Sequence, residues 1–121
     1  MTSLNLGNNL IGDDIKYFEL LKLNSTLTTL NLRFNDITDY GIKSLCKSLK
    51  YNSTLTSMIL AGNPIEIDGV KSICKLFKHN NTLTSLNFSF NFLGNIGTKL
   101  ICEALKSNPS ITSLNLDYNE I

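Results

Sequence analysis

Charged side chains are scarce in this sequence, at 17% of its 121 residues, and their signs nearly cancel. Eleven Lys and Arg residues face ten Asp and Glu residues, which leaves a formal charge of +1. Domains that neutralise nucleic-acid phosphates are usually strongly basic, so this balance argues against a nucleic-acid partner. No apolar run approaches the roughly 18 residues of a membrane span. The polar N-terminal segment is also unlike a secretory signal, so we expect a cytoplasmic protein with no membrane partner.

Side chains that could carry catalysis or bind a metal are equally few. His79 is the only histidine, and three cysteines make an odd count that weakens any disulfide framework. The glycines form neither a GxGxxG nor a GxxxxGK pattern, so nothing indicates a nucleotide-binding loop. An enzyme would need a nucleophile with a base, or paired carboxylates, in a pocket. The sequence therefore predicts a non-catalytic protein with no cofactor and no metal.

The sequence is instead dominated by an internal repeat. Units that begin near residues 27, 55 and 83 are each 28 residues long, a shorter unit begins near residue 1, and a partial unit begins at residue 111. In each unit an alternating segment such as Leu30-Asn31-Leu32 predicts a short half-buried strand, and apolar residues at helical spacing follow. Since the repeat covers residues 1–121, we predict a single domain.

The motif LxxLxLxxNxL followed by a glycine-led helix resembles the leucine-rich repeats of ribonuclease inhibitor and its relatives. The resemblance implies an α/β leucine-rich repeat solenoid, a short curved horseshoe segment with a parallel β-sheet on the concave face and α-helices on the convex face. Strands repeat at about 4.8 Å and helices at about 9 Å, so such a stack has to curve.

Several residue types recur once in each unit. An asparagine ladder is expected to bond the backbone of its own turn and of the next repeat; it comprises Asn9, Asn35, Asn63, Asn91 and Asn119. Cys46, Cys74 and Cys102 fall on equivalent helix positions about 8–10 Å apart, too far for a disulfide, which needs Cα atoms within about 7 Å. We therefore expect a row of buried free thiols, which suits a reducing cytosol. Asp39, Asp68 and Asn95 are predicted to cap the helices.

The charges divide between two parts of each unit. All ten lysines fall in the helical segments, together with only Glu19 and Glu103, whereas the other acidic residues fall in the loops between strand and helix. This predicts a basic convex back and an acidic rim. The rim comprises Asp13, Asp14, Asp36, Asp39, Glu66, Asp68, Asp117 and Glu120. A lysine-rich face can serve solubility alone, while the rim could steer a basic partner.

The concave face and the turns after its strands carry the candidate binding residues. Phe34, Phe90 and Tyr118 occupy one repeat position and flank a small gap at Ala61-Gly62, and Arg33 is the sole arginine. Aromatic residues and arginine are favoured at binding hot spots, although aromatics at this position could instead pack between repeats. The predicted protein-binding residues are Asn31, Arg33, Phe34, Ile59, Asn87, Phe90, Asn115, Asp117 and Tyr118.

The sequence thus predicts a protein–protein interaction module whose partner contacts the concave sheet and adjacent loops. The sheet alone is smaller than the roughly 800 Å² that each partner buries in a standard interface, so the partner has to use the acidic rim as well. The family resemblance implies inhibition or regulation of a partner enzyme. The Asn- and Lys-rich composition leaves open an effector, or a regulator of one, acting in a host cell. Self-association through uncapped ends is a further alternative, because a terminal repeat exposes its flank.

Overall fold

Five short strands and four helices alternate along the chain in a computed structural model, which describes residues 2–119. The strands are β1 (Ser3–Asn5), β2 (Thr29–Asn31), β3 (Ser57–Ile59), β4 (Ser85–Asn87) and β5 (Ser113–Asn115). The helices are α1 (Ile15–Leu23), α2 (Asp39–Leu49), α3 (Ile67–His79) and α4 (Gly94–Leu105). This order confirms the α/β repeat solenoid expected from the sequence.

The strands form one parallel sheet in chain order, with equivalent residues of successive repeats side by side. Leu30, for example, pairs with Leu4 on one side and with Met58 on the other. Neighbouring helices pack against one another in the same order. The molecule therefore has a sheet face and a helix face, and every repeat contributes to both.

The core lies between these two faces. The middle residue of each inner strand points into it, and Leu30, Met58 and Leu86 are buried between half-exposed neighbours. On the helix side Ile42 and Leu45 are fully buried, as the helical spacing predicts. Burying each such side chain contributes about 1.5–3 kcal/mol, so this core is the main source of apolar stabilisation.

The asparagine ladder joins the repeats where each strand ends, although a side chain such as that of Asn63 bonds its own turn and the repeat before it, and not the next repeat as the sequence predicts. The backbone N–H groups of Asn35 and Ile37 donate to Oδ1 of Asn63, at 3.1 and 3.0 Å. The Nδ2 of Asn63 donates to the carbonyls of Leu32 and Leu60, at 3.0 and 2.9 Å. One buried amide therefore satisfies backbone groups of two repeats.

A second asparagine ladder joins the repeats where the helices end. The Nδ2 of Asn52 donates to the carbonyl of Leu21 in the preceding repeat (2.9 Å), and its Oδ1 accepts from the N–H of Leu55 (2.8 Å). In the same way, the Nδ2 groups of Asn80 and Asn108 donate to the carbonyls of Leu49 and Phe77 in the respective preceding repeats. Orphan carbonyls at a helix end need such partners, so this asparagine is as structural as that of the first ladder.

The predicted helix caps are wrong. Asp39, Asp68 and Asn95 lie inside the first turns of α2, α3 and α4. The residue before α2 is Thr38, whose side chain accepts from the N–H of Tyr40 (3.3 Å).

The longest helix has 13 residues, and none within residues 2–119 is long and apolar enough to cross a membrane.

The α4 helix contains a polar atom without a partner. Thr98 takes the core position that Ile42 and Val70 hold in the preceding repeats. Its Oγ1 is buried and has no hydrogen-bond partner among the described residues. An unpaired buried hydroxyl costs free energy, so this repeat is packed less favourably than the two before it.

We expect Asn63→Ala to lower the free energy of unfolding by about 3 kcal/mol or more, because it leaves buried N–H and carbonyl groups of two repeats unpaired. Urea denaturation followed by circular dichroism measures the change. Asn81→Ala is the matched control, since Asn81 is exposed and its loss should stay within about 0.5 kcal/mol. Equal losses in the two variants would contradict the role of the ladder.

We expect Thr98→Val to raise the free energy of unfolding by about 1 kcal/mol, because it replaces the unpaired hydroxyl with a methyl group of similar volume. Thr84→Val serves as the control, because Thr84 Oγ1 donates to the carbonyl of Thr56 (3.2 Å). The same denaturation experiment compares them. A gain in the control, or a loss in Thr98→Val, would refute this account of α4.

Candidate protein-binding surface

The turn after each strand has the same backbone geometry in every repeat. The third residue after the end of each strand takes a left-handed conformation. Its φ is 51° at Phe34, 72° at Gly62, 56° at Phe90 and 57° at Tyr118. Asn8 takes the same conformation, with φ of 60°. These residues consequently occupy equivalent positions along one edge of the sheet, where their side chains project from the backbone in the same way.

The asparagines at the strand ends hold these turns in place. Oδ1 of Asn31 accepts from the N–H of Arg33 (3.0 Å), and Oδ1 of Asn115 accepts from the N–H of Asp117 (2.9 Å). Oδ1 of Asn87 likewise accepts from the N–H of Ser89 (2.9 Å) and also from its hydroxyl (2.7 Å). The side-chain oxygens of these predicted binding residues therefore hold the turns, whereas their Nδ2 groups donate no hydrogen bond among the described residues.

Ile59 is the one strand-end residue that departs from this rule. It lies between Asn31 and Asn87 in the sheet register and is half-buried. It has no side-chain oxygen to bond its turn, and glycine occupies the left-handed position of that turn. The middle of the sheet edge is thus apolar, with polar amides on both sides.

Phe34, Phe90 and Tyr118, which we name the aromatic row, are exposed on this edge. Their exposed fractions are 40%, 51% and 74%. The rings of Phe90 and Tyr118 stack with their centroids 4.4 Å apart and their planes 8° from parallel. Packing between repeats, the alternative explanation from the sequence, is therefore real for this pair, yet both rings keep half or more of their surface open.

The gap expected at Ala61-Gly62 is not open. Ala61 is buried, and a Cβ atom placed on Gly62 would overlap the ring of Phe34. The Arg33 guanidinium in turn lies 5.1 Å from the centroid of the Phe34 ring. Gly62 provides the space for the Phe34 ring, so Arg33, Phe34 and Gly62 form one continuous surface.

An aromatic residue is costly at a left-handed position. For residues other than glycine this conformation costs roughly 1–2 kcal/mol, because Cβ crowds the following carbonyl oxygen. A bulky side chain there is an outlier that points to a functional constraint. The three aromatics thus carry a backbone cost in positions where glycine would carry none.

Part of the acidic rim is structural and does not face solvent freely. The carboxylate of Asp13 accepts from the N–H of Thr38 (2.7 Å), and that of Asp39 accepts from the N–H of Glu66 (2.8 Å), each in the next repeat. A Cβ atom on Gly69 would lie 2.5 Å from Oδ1 of Asp39. The glycine at the helix start is therefore required by this carboxylate.

The remaining acidic residues form a sparser rim than the sequence suggests. Asp39 and Asp68 lie within the helices and not in the preceding loops. Glu120 lies outside the described residues. The exposed members of the rim are Asp14, Asp36, Glu66, Asp68 and Asp117. Of these, Asp36 lies two residues after Phe34, and Asp117 directly precedes Tyr118, so both are close to the aromatic row in the sequence.

The cysteines do not form a uniform row of buried thiols. Cys46 is buried, Cys74 is half-buried with its sulfur 3.6 Å from the carbonyl of Leu100, and Cys102 is exposed. The Cys74 thiol faces the following helix, α4, and within residues 2–119 no helix follows α4. Burial raises the pKa of Cys46 to about 12, with a smaller contribution from Cys74. Burial also raises the pKa of Cys74, although Lys78 opposes it.

The lysines lie on the helix face, away from the aromatic row. Eight of the ten lie within the helices, while Lys50 and Lys106 directly follow α2 and α4 as their C-cap residues. His79 is the exposed last residue of α3. No group of three or more His, Cys, Asp or Glu side chains placed to hold a metal occurs within the part of the chain that the structure describes.

Comparison with known proteins gives a family match and similar solved structures. A family model described as Leucine Rich repeat matches residues 23–46, 51–74, 79–102 and 107–121. No curated protein sequence matches significantly. The structure of Leiomodin-1 Actin-Binding Site 2 is 28% identical, with a TM-score of 0.90 over 98% of this chain and 71% of that chain. The tropomodulin C-terminal domain of Caenorhabditis elegans is 19% identical, with a TM-score of 0.75 over 86% of this chain and 64% of its own.

We expect Phe90→Gly to be more stable than Phe90→Ala by about 1 kcal/mol, because only glycine takes the left-handed conformation without cost. Thermal or urea denaturation of the two variants measures this difference. At Asp117, which lies outside the left-handed region, the paired Gly and Ala variants should not favour glycine. If alanine is the more stable at position 90, the aromatic row is not strained.

Proposed function

Since this chain belongs to the leucine-rich repeat family, whose domains typically bind other proteins, we propose that it is a non-catalytic module that binds a partner protein through the aromatic row and the surrounding turns. The free thiols support a cytoplasmic setting for this activity. Inhibition or regulation of a partner enzyme, and an effector role in a host cell, stay predictions from the sequence.

The observation that carries this proposal is the set of exposed aromatic side chains at left-handed backbone positions. Selection for stability alone favours glycine there, as at Gly62. Aromatic residues supply large contact areas at few rotatable bonds and dominate the energetics of interfaces. A binding role explains why the backbone cost is retained at three repeats.

The neighbouring charges define the kind of partner. Arg33 lies over the Phe34 ring at one end of the row, and Asp117 precedes Tyr118 at the other. Asp36 adds a second exposed carboxylate next to the Phe34 turn. A complementary surface would present apolar residues flanked by basic groups, with an acidic group opposite Arg33. Such charge pairs at a rim raise association rates more than affinity.

Actin is the first partner to test. The solved structure that is 28% identical is an actin-binding site of leiomodin-1, and its fold extends over 98% of this chain. We propose actin, or a protein with an actin-like surface, as the class of partner. The fold does not require it, so the partner and the binding surface are tested separately.

The first experiment mixes the purified chain with monomeric and filamentous actin and measures binding by anisotropy and by cosedimentation. We expect Arg33→Glu combined with Phe90→Ala to weaken binding at least tenfold, since truncating a hot-spot residue costs about 2 kcal/mol or more. The matched control is Lys99→Glu combined with Tyr40→Ala, which makes the same change in charge and removes an aromatic that is 82% exposed elsewhere.

Absence of actin binding by the wild-type chain would reject actin and leave the surface to be tested by capture from a lysate of the source organism. A captured protein that the test variant loses and the control variant keeps would support the aromatic row. Capture that survives the test variant, while circular dichroism is unchanged, would reject it. Mass that rises with protein concentration in light scattering, with no partner captured, would instead support self-association.

A further inference from the structure

A groove on the helix face runs between α2 and α3 and has a volume of about 230 Å³. Lys43, Lys47 and Lys50 line it along α2, and Lys75 lines it from α3. We name these four lysines and the space between them the basic groove. Their spacing of four and three residues along α2 keeps them on one side of that helix, so the cationic wall is continuous.

No acidic side chain lines the basic groove. The one ion pair among the described residues, Lys71 with Asp68 at 3.9 Å, lies outside it. Like charges three and four residues apart destabilise a helix. Charges dispersed over the surface provide solubility as well, so solubility does not account for lysines gathered along one side of α2. The concentration of unpaired lysines on α2 therefore points to a function beyond solubility.

The cationic surface continues onto α1. Lys47 and Lys50 also line a second groove, between α1 and α2, together with Lys22, Tyr51 and one acidic residue, Glu19. The Nζ atoms of Lys22 and Lys50 lie 4.9 and 5.8 Å from the centroid of the Tyr51 ring. The ammonium groups of Lys22, in α1, and Lys50, which follows α2, thus lie near one aromatic ring. This arrangement extends the positive surface over α1, α2 and α3.

We propose that the basic groove binds an extended acidic peptide segment of a protein partner. Its floor includes Leu76 and the buried Cys46, whereas its walls carry the lysines. In an extended chain alternate side chains point to opposite sides, so acidic residues can meet the lysines while small apolar residues meet the floor. The α2 helix has 11 residues, a length of about 16 Å, which accommodates about five extended residues.

The geometry favours a peptide over other polyanions. Recognition of single-stranded nucleic acid relies on several exposed aromatic rings for stacking, and Tyr51 is the only aromatic side chain lining these two grooves. A flat bilayer touches ridges, whereas the basic groove is recessed between two helices. The site lies on the face opposite the sheet, so it can be occupied together with the aromatic row and does not depend on the function proposed above.

The test uses a fluorescein-labelled peptide of nine residues that alternates valine and glutamate, with a glutamine-for-glutamate peptide as its neutral counterpart. Anisotropy is followed at low ionic strength and again at about 0.15 M salt, where screening acts over about 8 Å. Lys47→Gln combined with Lys75→Gln should weaken binding about tenfold, since each exposed ion pair contributes up to about fivefold. Lys16→Gln combined with Lys99→Gln removes the same net charge outside both grooves and should change binding less than about twofold.

The proposal holds if the acidic peptide binds, the neutral peptide does not, and only the groove variant loses affinity. Equal losses in the two double variants would overturn it, because attraction would then come from net charge alone. Failure of the peptide to bind, with an RNA oligonucleotide or a phosphatidylserine vesicle bound in a groove-dependent manner, would also overturn it. Arg33→Glu combined with Phe90→Ala should leave peptide binding unchanged, which separates this result from the test of the aromatic row.

Discussion

The repeat depends on one interaction, the buried asparagine amide that bonds the backbones of two successive repeats at the end of each strand. Asn63 accepts from two N–H groups of the repeat before it and donates to carbonyls of both repeats. Because this bond fixes neighbouring strands in one register, each residue of a turn lies beside its counterparts in adjacent repeats. The aromatic row and the alignment of the helices both follow from that register.

The sequence was sufficient for features that belong to a single repeat. Alternation and the 28-residue period predicted all five strands and the turn position of the ladder asparagines, because these depend on local periodicity. Contacts made sideways between repeats could not be predicted. The Phe34 ring lies over Gly62, and the carboxylate of Asp39 bonds the next repeat instead of capping its own helix. The orientation of such a side chain depends on the space that the adjacent repeat leaves for it, as Gly62 does for the Phe34 ring. The exposure of Cys102 likewise depends on what packs beside its helix.

The two faces of the molecule separate two kinds of chemistry. The sheet edge presents apolar rings with Arg33 and a few carboxylates, whereas the four helices hold eight lysines and four acidic residues, so that basic groups predominate on the helix face. A near-zero net charge conceals this separation, because the acidic and basic residues cancel only when summed over both faces. Long-range attraction of an acidic partner and short-range packing of an aromatic surface can therefore operate in one small domain without interfering.

The left-handed turn position has a consequence for how binding specificity diversifies. The hydrogen bonds that hold each turn come from the strand-end asparagine and the ladder asparagine, and none comes from the side chain at the left-handed position itself. Asn8, Phe34, Gly62, Phe90 and Tyr118 already place four residue types in five copies of this one position. The scaffold thus accepts several residue types at that position wherever the neighbouring side chain leaves room, which the Phe34 ring does not at Gly62. Duplication of a repeat followed by single codon changes can therefore alter the recognition surface while the architecture is conserved.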